Sequence, residues 1–501
     1  MAEEVLTPEL VSQASLTGAP ATARGALSVA EKAFYGLGEA GEAVKNTALQ
    51  TFLLFYYVQV VGLPGSLCGT ALFLALFLDG VIDPLVGSWS DQFRSRWGKR
   101  HPFIYAAPAP LAICIFLLFD PPHAWSHLAL FGWLVTFNLL SRVAMTFYYV
   151  PHLALGADLS SDYHERMSVG VYRMLFTQAG RLLCLAAAFL IFFVPTAHQH
   201  NGQLNAQAYQ PFALFCGVAV VLTVLASALG TQRRVIMRQA AEPPASARHR
   251  ISAAQVWTNF IRSMKVPSFR SCFIGLLIMY VFAGTQTVLT LHMNTYFWGL
   301  TPQQAQYTFY AQVAGFTIGL PLARPLALWF DKKWSYMLCV GSACVFISIP
   351  VFLRLAGWMA PNGDPIVIYS VTASNFAYGL LGANSGVFSA AMLMDAADDF
   401  DLRYGVRAEG LFFGATSFSS KASNGIGGAL AGIILDVIHF PRPPSAAAPS
   451  AATVQALGIA FGPVLLLLLL IGLSTMFGYD LTRAKHERIL SQLEARRASA
   501  V

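Results

Sequence analysis

Unbroken apolar runs dominate this chain. Each is about 20 residues long, the length a helix needs to cross roughly 30 Å of hydrocarbon. The stretch "FGPVLLLLLLIGLSTMFG", residues 461–478, is one of them. Inside a bilayer only helices and closed barrels satisfy every backbone N–H and C=O. A barrel would show short alternating strands, and these runs are continuous. Of the 501 residues, 56% are hydrophobic and only 11% are charged, against about 25% charged in soluble domains. One soluble core cannot bury that much apolar side chain. The expectation is an all-α polytopic membrane protein embedded in the lipid bilayer.

The net charge of +7 is carried by basic residues between the apolar runs. It therefore speaks to membrane topology and not to nucleic acid. The seven cysteines (Cys68, Cys114, Cys184, Cys216, Cys272, Cys339, Cys344) lie in or beside apolar runs, with no CxxC or Cys/His spacing. They read as small packing residues, with no disulfide framework, metal site or cofactor expected. The start of the chain has early acids and no apolar h-region, so residues 1–44 read as a cytoplasmic tail and not a signal peptide.

Twelve candidate spans begin near Asn46, Ala71, Phe103, Leu128, Ser168, Phe212, Ser271, Gln304, Ser335, Ile366, Gly410 and Thr453. A polar stretch, residues 232–268, separates the sixth from the seventh. The expected division is a six-helix bundle over 45–231, a cytoplasmic loop over 232–268, a second bundle over 269–478 and a basic tail over 479–501. Arg94, Arg96, Lys99 and Arg100 follow the second span; Arg233, Arg234, Arg238, Arg248, Arg250, Arg262 and Lys265 fill the central loop. The positive-inside bias places both termini and the central loop in the cytoplasm. The halves echo each other. Asp91 with Gly98-Lys99-Arg100 follows span two and "DKK", Asp331 to Lys333, follows span eight; "DLSSDYHER" follows span four and "DAADDFDLRYGVRAEG" follows span ten. Such repeats mark transporters whose site lies between two bundles.

Ionisable residues inside spans cost roughly 2.5–3.5 kcal/mol each on insertion scales and need a partner or a task. Asp79 and Asp83 sit one turn apart on one helix face, and two carboxylates so placed share a proton or hold a cation. Arg173 and Arg181 share a face of span five, Lys421 lies within span eleven, His152 follows Pro151, and Arg324 lies between two prolines. The simplest arrangement gathers the acids and the bases of spans five and eleven in one polar cavity. For Arg324 and His152 a helix-interface contact is the expectation, and Lys45 and Arg142 are expected to snorkel from span ends. Gly87, Asp91, Arg94, Gly98, Lys99, Arg100, Asp331 and Lys332 read as a conformational latch whose charges reach the opposite bundle in one access state. "GIGGALAG", Gly425 to Gly432, lies in an apolar span with no strand before it. It reads as close helix packing and not as a nucleotide loop. No nucleophile–base pair points to an enzyme.

"LDGVIDPLVGSWSDQFRSRWGKRHPF" resembles the span-two and loop signature of the glycoside–pentoside–hexuronide:cation symporters, the melibiose-permease branch of the major facilitator superfamily. "KNTALQTFLLFYYVQVVGL" resembles their first span, and residues 392–432 their tenth loop and eleventh span. The resemblance implies the major facilitator fold: twelve transmembrane helices in two pseudo-symmetric six-helix bundles that rock about a central cavity. It implies that Asp79 and Asp83 bind the coupling cation, H+ or Na+, and that Thr146 completes that site. It implies that Arg173 belongs to the sugar site and that Lys421 links sugar and cation. Tyr149 stands where the family has a sugar-binding aspartate, Leu153 where it has a tryptophan, Ala43 where it has a first-span aspartate, and Ile82 where it has a polar ligand. With Tyr149, His152, Arg181 and Lys421 together, the solute side suits an anionic or amphipathic molecule as well as a sugar.

Three readings follow. One is a cation-coupled symporter, monomeric in the inner membrane, for a glycoside or related small solute. The second is a transporter of a lysolipid or other amphiphile, or an exporter, on the same fold. The third, a non-transporting sensor, is disfavoured by the convergent charges. The proton is preferred to sodium because Ile82 leaves few oxygens near the acid pair.

Overall fold

The structure, a computed structural model, describes residues 27–93, 95–122, 124–160, 162–197, 199, 201–241, 253–406, 409–443 and 448–499. Arg94, Arg248 and Arg250 lie outside the described residues. Twelve long helices make up the body. They are α1 (29–61, Val29–Ala48 carried on by π-helical turns), α2 (Gly65–Gln92), α3 (His101–Leu118), α4 (His127–Leu159), α5 (Tyr163–Ala187, extended by Ala188–Phe192) and α6 (Tyr209–Ala241). After a linker helix, Ala253–Ser263, come α7 (Pro267–Phe297), α8 (302–329), α9 (Lys332–Leu355), α10 (Pro365–Tyr404), α11 (Glu409–Val437) and α12 (Ala451–Gly478), then a C-terminal helix, Arg483–Ser499. Among the described residues nine helices, α2–α7, α9, α10 and α12, are long and apolar enough to cross a membrane. The other three are less apolar or are broken. Glu39, Glu42 and Lys45 interrupt α1, Lys421 and Asp436 interrupt α11, and the 3-10 turn Leu320–Leu322 breaks α8.

The two halves repeat in their packing. Helix α1 packs on α5 and α6, α2 on α4, and α3 on α4 and α6; correspondingly α7 packs on α11 and α12, α8 on α10, and α9 on α10 and α12. This is the pseudo-symmetry that the echoes in sequence suggested.

Helix α1 begins at Val29, well before the expected span start near Asn46. Its first half, "VAEKAFYGLGEAGEAVKN", is too polar to read as a span. Its small residues instead let neighbouring helices come close: Gly36 lies against Phe176, Gly41 against Thr223, and Gly180 of α5 against the Ala40 backbone. The start was legible in another signal. Ser28 and Glu31 form a capping box, with Glu31 N–H donating to Ser28 Oγ at 3.2 Å and Ser28 N–H donating to Glu31 Oε2 at 2.8 Å.

The bundles meet along α2 and α11. The seam is built of glycine: a Cβ on Gly432 would sit 1.9 Å from the Gly65 carbonyl oxygen, and one on Gly69 would sit 2.7 Å from Ala429 Cα. The "GIGGALAG" stretch is thus a packing surface. Further cross-bundle contacts gather at one end of the molecule. Tyr296 OH donates to Gln59 Oε1 at 2.8 Å, Thr295 to Gln203 Oε1 at 2.9 Å, and Phe55 meets His292 at 5.0 Å. The symmetry-related pair α5 and α8 touches through Phe189 and Phe309, 5.7 Å apart, near the same end. We call this the closed end. The opposite end carries the start of α1 and the C-terminal helix.

Candidate functional site

Midway along the α2–α11 seam, Asp79 and Asp83 face α4 and α11. Thr146 Oγ1 of α4 lies 2.7 Å from Asp79 Oδ1 and 3.0 Å from Asp83 Oδ1, within donating distance of either. Lys421 Nζ of α11 donates to Asp79 Oδ2 at 2.9 Å and to Asp83 Oδ2 at 2.5 Å. Arg142 of α4 stands 3.8 Å from Asp79 Oδ2. The two acids are thereby offset by two bases. The bases come from opposite bundles, so Lys421 ties the bundles together. Ile82 stands half-buried between the acids.

Lys45 and Arg142 do not snorkel. Both are buried: α1 starts earlier than expected and puts Lys45 mid-helix, and Arg142 lies midway along α4. Lys45 donates to Asn46 Oδ1 at 3.3 Å, and Asn46 donates to Glu42.

A second charged cluster lies between α1, α4 and α5. Arg173 Nε donates to Glu39 Oε1 at 2.7 Å, and His152 Nε2 is 3.8 Å from the same oxygen. The Glu39 side chain is 3% exposed and that of Arg173 is 34% exposed. His152 stacks between Tyr35 at 4.5 Å and Tyr148 at 5.1 Å, and Tyr35 OH donates to the His152 carbonyl. Tyr149 is within electrostatic reach of Glu42, Glu39 and Arg173. Glu39 and Glu42 went unseen in the sequence reading because that reading stopped the first span short of them. One turn before Ala43, Glu39 provides a first-helix carboxylate at a different position from the family pattern.

Between the bundles lies a cavity of about 200 Å³, lined on its polar side by Glu42, Asn46, Gln50, Thr177, Arg181 and Gln312. Arg181 and Gln312 also border a second cavity of about 270 Å³ within the C-terminal bundle, where Tyr280, Phe316, Tyr336 and Tyr378 make an aromatic wall. Arg181 therefore stands at the junction of a polar and an apolar chamber. Arg324 is exposed, at the broken end of α8.

Two of the residues expected to form a latch, Arg100 and Lys332, pair within their own bundles. Arg100 Nη1 is 3.3 Å from Asp158 of α4, and Lys332 Nζ is 2.7 Å from Asp395 of α10. These two pairs occupy equivalent places in the two halves. Asp331 caps α9, accepting from Lys332 N–H at 2.8 Å. Gly98 has φ +97°, a left-handed turn suited to glycine, and its carbonyl accepts from Ser95 Oγ at 2.8 Å. Gly87 faces Val150 of its own bundle, Lys99 is half-buried, and Asp91 lies in the last turn of α2. Among the described residues no group of His, Cys, Asp and Glu is arranged to hold a metal ion.

Residues 34–483 match the sequence profile of a family described as MFS/sugar transport protein. The inner membrane symporter YicJ of Escherichia coli is 25% identical over 82% of this chain and 83% of its own. The isoprimeverose transporter of Lactiplantibacillus pentosus is 23% identical over 81% of this chain and 79% of its own. The crystal structure of the nucleoside transporter NupG (D323A mutant) superposes with a TM-score of 0.58 at 13% identity, covering 89% of this chain and 99% of that one.

Proposed function

The chain belongs to the MFS/sugar transport protein family, and from that premise we propose that it is a cation-coupled symporter of a sugar or glycoside, working by alternating access. Members of this family are transporters and not enzymes, and the chain is a multi-pass membrane protein whose relatives include a symporter of the inner membrane. Both termini are taken as cytoplasmic, which makes the closed end the outer one. The chain is taken as a monomer.

One observation carries the reading: Lys421 of one bundle occupies the oxygens of Asp79 and Asp83 in the other. A coupling cation that takes those oxygens displaces the lysine and loosens a tie across the bundles. Cation binding thus changes the free energy of bundle rocking, which is what coupling requires. The released ammonium is then free to meet a solute group. The proton is the preferred ion. A proton needs only one carboxylate and removes one of the two charges that hold Lys421, whereas sodium needs several oxygens at once and Ile82 supplies none. Arg173, Tyr149 and Arg181 are assigned to the solute side. Latch roles for Gly87, Asp91, Arg94, Gly98, Lys99, Arg100, Asp331 and Lys332 belong to the state closed at the cytoplasmic end, where the bundle ends converge.

The test is uptake into proteoliposomes from a panel of glycosides, hexuronides and anionic amphiphiles, first with a pH gradient and no sodium, then with a sodium gradient at fixed pH and clamped potential. Accumulation of a glycoside under the pH gradient is expected. Accumulation only under sodium reassigns the ion, and accumulation of amphiphiles alone reassigns the solute. If no gradient drives accumulation of any member, symport of these classes is refuted.

A further inference from the structure

The first backbone N–H groups of any helix need acceptors, and most of these helices supply their own. Ser28 caps α1, Ser126 α4, Asp162 α5, Thr301 α8, Asp331 α9, Asp364 α10 and Ser450 α12. Helices α2, α3 and α7 have no side-chain cap of their own, and of these α2 finds its acceptor across the seam. Pro64 holds its N-cap position and makes no side-chain cap. Its symmetry partner α8 has a full capping box, Thr301 with Gln304. The acceptor for α2 comes from the other bundle: Asp436, in the last turn of α11, takes Gly65 N–H on Oδ1 at 2.9 Å and Ser66 N–H on Oδ2 at 2.8 Å. Arg442 Nη1 holds the carboxylate at 3.1 Å. Both ends of this contact lie at the closed end, beside the Gly65–Gly432 approach.

We propose that Asp436 is a gating residue, an N-cap given in trans that holds the two bundles together at the closed end and must be withdrawn for that end to open. A carboxylate at a helix N-terminus is favoured by the helix dipole, and its two bonds are charge-assisted. Both are made only while the seam is shut. This inference rests on the alternating-access reading, but its test needs no solute.

Spin labels at Leu128→Cys and Trp358→Cys report the closed end. These positions are 76% and 81% exposed, lie at the closed ends of α4 and of the α9–α10 connection, and belong to different bundles. The native cysteines are all buried and stay in place. In lipid nanodiscs, double electron–electron resonance on Asp436→Ala is expected to raise the ratio of long to short distances by about tenfold or more, the scale of losing charge-assisted bonds. Asp436→Asn, which keeps the shape, guards against a folding defect and should shift the same way by less. Ser66→Pro removes one donor from the other side, at a first-turn position where proline is tolerated. Its effect should be mostly absorbed when combined with Asp436→Ala. A monodisperse Asp436→Ala or Asp436→Asn protein with the parental distance ratio overturns the proposal. The uptake panel judges the transport reading separately.

Discussion

Arg173→Ala and Glu39→Gln remove opposite halves of one ion pair, and the structure says the two losses are unequal. Glu39 is 3% exposed, and its charge partner is Arg173 Nε at 2.7 Å. His152 at 3.8 Å is beyond hydrogen-bond distance. Arg173→Ala therefore strands a buried carboxylate, and breaking a buried pair from one side costs about 3–5 kcal/mol. Glu39→Gln leaves a guanidinium with 34% exposure, which can turn to water, so its cost falls near the low end of an unmade charged hydrogen bond, about 1–1.5 kcal/mol. Thermal unfolding in detergent, followed by fluorescence-detected size exclusion, should show a fall in Tm about twofold or more larger for Arg173→Ala. The double variant Glu39→Gln/Arg173→Met should recover most of the loss, since neutral groups of similar shape replace buried pairs at little cost. Equal falls for the two single variants, or a double variant no better than Arg173→Ala, would refute the reasoning. Either result would mean that Glu39 finds another partner or that Arg173 is held for the solute alone.

Asp83→Asn should abolish gradient-driven accumulation while sparing solute exchange, because the acid serves the ion; unchanged accumulation in proteoliposomes would return it to a structural role. Lys421→Ala should weaken solute affinity by about ten- to hundredfold, the loss of a charge-assisted bond, measured by equilibrium binding on protein that elutes as a single species. Single cysteines at Gln207 and Ser491, both exposed, should divide by side: an impermeant thiol reagent added to intact cells should label 207 and not 491, and the reverse pattern would invert the topology. Gly432→Ala should lower Tm, since its Cβ would stand 1.9 Å from the Gly65 oxygen, while Gly414→Ala, with nothing within 4 Å, should not.

Much of this architecture is local information. An apolar run long enough to cross a bilayer must be a helix wherever it lies, so most spans and the division into halves could be read from residue order. The acid pair was equally legible, because a spacing of four residues puts Asp79 and Asp83 on one face whatever surrounds them. The polar first half of α1 was missed because hydropathy measures contact with lipid, and this segment is covered by other helices. Its Ser28–Glu31 capping box was the available signal.

The partners were decided by tertiary structure. That Lys421 bridges Asp79 and Asp83, that Arg173 answers to Glu39, and that Lys45 and Arg142 are buried instead of reaching for water all depend on how far each helix is rotated and shifted against its neighbours. Neither quantity is encoded in a single segment. The pairing of Arg100 with Asp158 and of Lys332 with Asp395 likewise depends on how neighbouring helices within each bundle pack. Asp436 is the sharpest case. From residue order it is an acid at the end of a span and Pro64 is a helix start without a cap, 372 positions apart; only the packing of α11 on α2 makes one the acceptor for the other's helix.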